Sequence, residues 1–307
     1  MKLRLLGGMV VLLVGVPGCA VVTDVGMEFL YKNAELPAAQ VHLDIPYEPG
    51  SDSPKHRLDL FIPAGTNWPV LIFVPGGGWV AGDKELEVAG DTVYENIGRF
   101  YASHGIGVAV INYRLLPSVQ WQDQISDVAH ATAWVYSHIA EYGGNPHRLF
   151  LSGHSAGAQL VDRVALDSKP LTEAGCSPSI VCGVISVSGA GLDLKDQKTY
   201  ALGESPDYFA NLFATGPDPG DWQTAASPVT YVHAGAPPFL ILYAGGETKS
   251  LIRQSHRFSQ VLTQSGVSNR LLAVPGQSHA RIVLTLSRDD KTAGPAILNF
   301  IETTKCQ

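Results

Sequence analysis

Runs of residues that are apolar at every position constrain this chain most. Residues 70–74 read Val-Leu-Ile-Phe-Val and residues 107–111 Gly-Val-Ala-Val-Ile, a comparable run recurs at 239–244, and 181–189 is interrupted only by Ser186 and Ser188. A strand with one solvated face alternates apolar and polar residues, so an uninterrupted run marks a strand buried on both faces. Such strands belong to a largely parallel sheet whose two faces are covered by helices. Residues 124–142 supply one such helix, with Ile125, Val128, Ala129, Val135 and Ile139 at helical spacing and a stop at Gly143-Gly144-Asn145-Pro146. Further helices are predicted over 255–265 and 296–303, a last strand over 270–274, and a half-exposed strand over 57–62 that ends at Pro63. The fold class is α/β, with one large domain in a chain of 307 residues. Residues 191–236 are rich in Asp, Gly and Pro and carry a weak helical signal at 208–213. They are too long for a simple connection and are predicted to form a small lid or substrate-binding excursion.

Residues 148–157 read Arg-Leu-Phe-Leu-Ser-Gly-His-Ser-Ala-Gly and lead into a helix-forming stretch. A Gly-X-Ser-X-Gly string alone can be an ordinary turn, but between a strand and a helix it describes a nucleophile elbow. Ser155 must then hold a strained backbone, and a Cβ at Gly153 or Gly157 would collide with the neighbouring chain. A serine nucleophile also requires donors for an oxyanion, a general base and an acid that orients the base. Val74-Pro75-Gly76-Gly77-Gly78-Trp79 follows a buried strand and offers the backbone N–H groups of Gly77 and Gly78, beside that of Ala156. The Lys-Ser/Thr ending of a phosphate cradle is missing there. Ten histidines compete for the base. His130, His138, His147 and His256 fall on helices or their ends, and His154 lies inside the elbow, pointing away from Ser155. His279 follows a strand and the loop Pro275-Gly276-Gln277-Ser278. In the order nucleophile, acid, base, the acid lies between Ser155 and His279. Glu247, in Gly245-Gly246-Glu247-Thr248 just past a strand, competes there with Asp193, Asp207 and Asp218.

On these residues the chain resembles the α/β-hydrolase fold, specifically its hormone-sensitive-lipase-like and carboxylesterase-like group with an HGGGW-type oxyanion loop. Gly82-Asp83-Lys84, Tyr113-Arg114-Leu115, Glu141-Tyr142-Gly143-Gly144-Asn145-Pro146 and Ser227-Pro228-Val229 match recurrent phrases of that group. The resemblance runs from His42 to the C-terminus. Residues 243–255 align without a gap to the group's H-G-x-x-D-x-x-V-x-x-x-Q-S phrase. Gln254 and Ser255 match it by letter, and Glu247 falls on the catalytic acid. The resemblance implies a serine hydrolase that cleaves short-chain acyl or aryl esters through an acyl-enzyme, without metal or organic cofactor. Ser155, His279 and Glu247 would be its triad, and Gly77, Gly78 and Ala156 its oxyanion hole. The chain departs from the group at Pro75, where His is usual, and at Glu247, where Asp is usual. Arylformamidases resemble the same loops, so an amide or formamide hydrolase is the alternative. A non-catalytic binding module on the same fold is a third reading.

The N-terminus stands apart from this domain. Met1-Lys2-Leu3-Arg4 is a short positive region, residues 5–16 are apolar, and Val16-Pro17-Gly18-Cys19 follows. The apolar run is short for a permanent span and fits a signal-peptide core. A small residue before a cysteine at its end resembles the lipobox of bacterial lipoproteins, which implies lipidation at Cys19 and a membrane-anchored, exported protein. Ordinary cleavage nearby and an uncleaved anchor are the alternatives. The expected organisation is a signal peptide over 1–19, a tether over 20–40 and the catalytic domain over 41–307. Export gives Cys176 and Cys182, which flank a short Pro-containing segment, a choice between a small-loop disulfide and buried thiols, with Cys306 left over. A net charge of −7 without a basic patch argues against a nucleic-acid partner. No cluster of Cys and His has zinc spacing.

Overall fold

The computed structural model describes residues 34–88, 91–215 and 219–306. An eight-stranded sheet runs in the order β1-β2-β6-β3-β7-β8-β9-β10. Its strands are β1 (Val41–Pro46), β2 (Arg57–Phe61), β3 (Trp68–Val74), β6 (Gly107–Ile111), β7 (Gly144–His154), β8 (Val181–Val187), β9 (Phe239–Ala244) and β10 (Asn269–Val274). A separate small ribbon pairs β4 (Glu87–Val88) with β5 (Asp91–Thr92). From β6 to β10 every pairing in the large sheet is parallel, and only β2 runs against the rest. This is the largely parallel, helix-covered sheet that the apolar runs require.

The helices are α1 (Val93–Ser103), α2 (Trp121–His138), α3 (Ala156–Leu166), α4 (Ser168–Glu173), α5 (Gln197–Tyr200), α6 (Pro206–Phe213), α7 (Trp222–Ala226), α8 (Lys249–Gln264) and α9 (Ala293–Thr303). Alternate residues of β3 explain why no polar residue interrupts it. Val70, Ile72 and Val74 join the core beneath α2, α3 and α8, while Leu71 and Phe73 join the core beneath α1 and α9, and none is more than 1% exposed. Full burial of side chains of this size contributes about 1.5–3 kcal/mol each. The helix read from residues 124–142 starts at Trp121, where Gln120 and Asp123 form a reciprocal capping box. Its last turn tightens to a 3₁₀ turn over Ile139–Tyr142 before Gly143 adopts the left-handed conformation.

The cysteine pairing differs from the expectation. Cys182 bonds to Cys306, and Cys176 is the free thiol. The reason is the sheet itself: Cys176 packs against the core on the α2–α3 side, whereas Cys182 and Cys306 lie on the α1–α9 side. Closeness in sequence could not carry a bond through the sheet. Cys19 lies outside the described residues. Within the expected tether, Ala34 and Leu36 already pack on the domain, and the Ala34 N–H donates to Asn96 Oδ1 at 2.7 Å.

Candidate active site

Four chain segments leave the C-terminal ends of parallel strands on one edge of the sheet, the edge where open α/β sheets place their ligands. They are the Gly loop after β3, the elbow after β7, the acid loop after β9 and the histidine loop after β10. Ser155 sits at the turn from β7 into α3 with φ 56° and ψ −117°, a conformation that non-glycine residues avoid. Its own N–H donates to Val187 O at 2.9 Å, which holds the strained turn onto β8. The turn is tight because the flanking chain has no side chain to accommodate. A Cβ on Gly153 would stand 2.2 Å from Gly157 O, and one on Gly157 would stand 2.2 Å from Val74 O.

The structure brings Ser155, His279 and Glu247 together. His279 Nε2 lies 2.8 Å from Ser155 Oγ, and His279 Nδ1 lies 3.0 Å from Glu247 Oε2. A carboxylate only accepts, so Nδ1 carries the proton and Nε2 presents its lone pair to the serine hydroxyl. Two backbone bonds set this register: Gly245 N donates to Val274 O at 2.9 Å, and Gly246 N donates to Gln277 O at 2.8 Å. The Glu247 side chain is fully buried. Asp193 instead pairs with Arg257 at 3.1 Å, and Asp207 is exposed in the first turn of α6. Asp218 lies outside the described residues.

The Gly loop lies against this triad. Gly77 has φ 136°, and a Cβ there would stand 2.0 Å from Ala81 O. Among the described residues, the N–H groups of Gly77, Gly78 and Ala156 find no backbone acceptor outside their own elements. They remain available for an oxyanion. Pro75 does not leave the loop unbraced. Tyr113 Oη donates to Pro75 O at 3.1 Å, Gln124 Nε2 to Trp79 O at 2.8 Å, and the Trp79 indole N–H to Gln159 Oε1 at 3.1 Å.

The excursion over residues 191–236 folds down on the site through α6. Phe209 and Phe213 meet the Trp79 ring edge to face at 6.1 and 5.0 Å, and Tyr208 Oη donates to Gly78 O at 3.4 Å. Just before α6, Glu204 adds a second carboxyl beside the triad, and sequence reasoning missed it. Burial pushes its pKa up and the Glu247 carboxylate adds to this, against hydrogen bonds from Ser250 and Gln254 and the attraction of His279. Its proximity is purely tertiary, so no spacing marks it. His154, inside the elbow, does not hydrogen-bond Ser155 but turns to the histidine loop. Its ring is buried, and its Nε2 donates to the main-chain carbonyl of His279 at 2.9 Å. Among the described residues no group of three or more His, Cys, Asp or Glu could hold a metal ion.

Known proteins share sequence and fold with this chain. The esterase LipQ of Mycobacterium tuberculosis is 30% identical over 266 residues, which are 84% of this chain and 61% of that protein. The probable isoprenylcysteine alpha-carbonyl methylesterase ICMEL1 of Arabidopsis thaliana is 27% identical over 248 residues, 76% of this chain and 50% of that protein. The chain thus spans about half to three-fifths of the length of these curated relatives. Among solved structures, a truncated carbohydrate esterase from gut microbiota superposes with a TM-score of 0.67 at 19% identity, over 89% of this chain and 96% of that one. Esterase B from Lactobacillus rhamnosis HN001 does so with 0.69 at 23% identity, over 91% and 89%. At such identities the shared property is the fold, which is that of the α/β-hydrolases. The BD-FAE family profile matches residues 58–262, from the second strand through the Gly loop, the elbow and Glu247, and the chain belongs to that family.

Proposed function

We propose that this protein is a serine carboxylesterase acting on short-chain acyl or aryl esters. The observation that carries this reading is the unbroken relay from Ser155 Oγ through His279 to Glu247, at 2.8 and 3.0 Å. Esterase names among its relatives support the same reaction class. In the mechanism, Ser155 Oγ attacks the ester carbonyl while its proton passes to His279 Nε2. Glu247 holds the Nδ1 proton and stabilises the imidazolium that forms. The tetrahedral oxygen receives the N–H groups of Gly77, Gly78 and Ala156, donors fixed in place before the charge develops. His279 then protonates the leaving alcohol, and a water activated by the same base releases the acid. The preference for short acyl groups draws on α6, whose Tyr208, Phe209 and Phe213 pack on the Gly loop at Gly78 and Trp79. Ser155→Ala should lower turnover of p-nitrophenyl butyrate by at least about a thousandfold with the fold intact. Wild-type turnover in that variant rules the mechanism out.

The setting belongs to the same proposal: export, and a lipid anchor at Cys19. Its supports are the apolar run ending in Gly18-Cys19 and the Cys182–Cys306 disulfide, a bond at home in oxidising compartments. Expressed in a bacterium, the protein should fractionate with membranes, and Cys19→Ser should release it or leave it uncleaved. A soluble wild-type protein without bound acyl chains overturns the anchor.

A further inference from the structure

The middle residue of the elbow, His154, is the one buried imidazole that touches all the moving parts of the reaction without reaching the substrate. It is the last residue of β7 and adjoins the nucleophile. Its Nε2 meets the main-chain carbonyl of His279 at 2.9 Å, and the two imidazole rings lie 4.9 Å apart at 40°. A carbonyl cannot donate, so the proton of this bond sits on His154 Nε2. In the neutral ring Nδ1 is then bare, and it faces the oxyanion loop: a Cβ built on Gly76 would lie 2.9 Å from it. One rigid ring therefore spans the elbow, the histidine loop and the Gly loop.

We propose that His154 is a positioning residue, which pins the backbone of the catalytic base through its Nε2–H donor and so sets the reach of His279 to Ser155. This rests on the serine-esterase reading above. The Gly246 N–H ties the histidine loop at Gln277, two residues short of the base, whereas His154 reaches His279 itself, in a turn beyond β10 and before the 3₁₀ turn Arg281–Thr285. The hydrogen bond reaches the main chain of the base itself, so displacement of the loop moves Nε2 of His279 directly. A misplacement of about 1 Å in such a relay costs on the order of a hundredfold in rate.

The donor is also constant during turnover. Burial, with the nearby His279 second, pushes the His154 pKa down to about 3. His154 thus stays neutral, with its Nε2–H in place, across any neutral working range. Charge there would also oppose the imidazolium that forms on His279 in each cycle. Serine, alanine or asparagine at 154 would lack the reach to His279 O. Glutamine places an amide N–H at about the position of Nε2.

The test compares His154→Phe, which keeps the ring and removes the donor, with His154→Gln, which restores a donor. The readouts are kcat and KM on p-nitrophenyl butyrate, and the second-order rate at which a fluorophosphonate labels Ser155. H154F should lose about tenfold to a hundredfold in kcat and in labelling rate while KM stays within about twofold, since only the base has moved. H154Q should recover most of both losses. Wild-type kcat and labelling in H154F, or an H154Q no faster than a folded H154F, overturns the proposal. Should H154F fail to fold, His154→Asn takes its place, because its amide stops at the position of Nδ1. Labelling of the wild-type protein at Ser155 tests the serine by itself, so the esterase reading and the His154 role fail separately.

Discussion

Glu247 shows how much one residue depends on its neighbours for its role. Its Oε2 accepts from His279, its side chain is wholly out of solvent, and its Oε1 has no hydrogen-bond partner among the described residues. A buried carboxylate with an orphaned oxygen is costly unless its charge is used. In the proposed mechanism the charge orients His279 and stabilises the imidazolium. Glu247→Gln keeps the shape and removes that charge, so kcat should fall by about 10⁴-fold, the loss seen when a triad acid is made a neutral amide. Asp193→Asn should leave kcat near wild type, because Asp193 pairs with Arg257 rather than with His279. Loss of activity in the Asp193 variant alone would move the acid away from Glu247. Ser155, His279 and Glu247 were all legible in the sequence because strand ends and chain order locate them. Glu204 and the His154–His279 bond were not, since each is made by segments that only the fold brings together. What the ring of His154 faces is decided by the histidine loop and the Gly loop, which only the fold brings to it.

At the scale of elements, the contact between α3 and β8 carries a titratable group that the chemistry does not use. Asp162 is completely buried on α3, and its Oδ2 accepts from Ser186 Oγ of β8 at 2.8 Å. Burial raises its pKa well above the usual carboxylate range, opposed only in part by Ser186. The folded state therefore holds this proton more tightly than the unfolded chain, whose carboxyl titrates near 4. That contribution to stability is fully present below about pH 4 and is lost as pH rises through the folded-state value. Asp162→Asn cannot titrate, so its melting temperature relative to wild type should rise from pH 4 to pH 8. A difference that stays flat across this range excludes a protonated Asp162. The elements themselves were readable wherever burial decides residue type, as in β3 and β9, because only apolar residues survive on both faces. Element ends were less so. The helix read over 255–265 begins at Lys249, since its first turn is capped by Thr248 and is polar on the outside. The recurrent phrases turn out to be braces between elements: Lys84 meets Asp44, Asp59 and Glu85, and Arg114 grips Asp127, which also meets His56.

Across the whole molecule, the proposed active site and the covalent reinforcement sit at opposite ends of the sheet. Every functional loop leaves a C-terminal strand end, whereas Cys182 is the second residue of β8 and bonds Cys306 just beyond α9, across 124 residues of chain. The bond closes a loop that contains the excursion, the acid and the base. Removing it frees the unfolded chain rather than disturbing the site. For a loop this long the loss is about 2–5 kcal/mol, or a fall in melting temperature of roughly 4–10 °C for a domain of this size. Cys306→Ser, or reduction of the wild-type protein, should produce that fall while kcat on p-nitrophenyl butyrate at 25 °C stays unchanged. Cys176→Ser should leave the melting temperature nearly where it was, because Cys176 is unbonded and lies on the other face of the sheet. The opposite pattern, with Cys176→Ser destabilising and Cys306→Ser silent, would restore the pairing of neighbours in sequence. Loss of activity in folded Cys306→Ser would show that the two ends of the sheet are coupled.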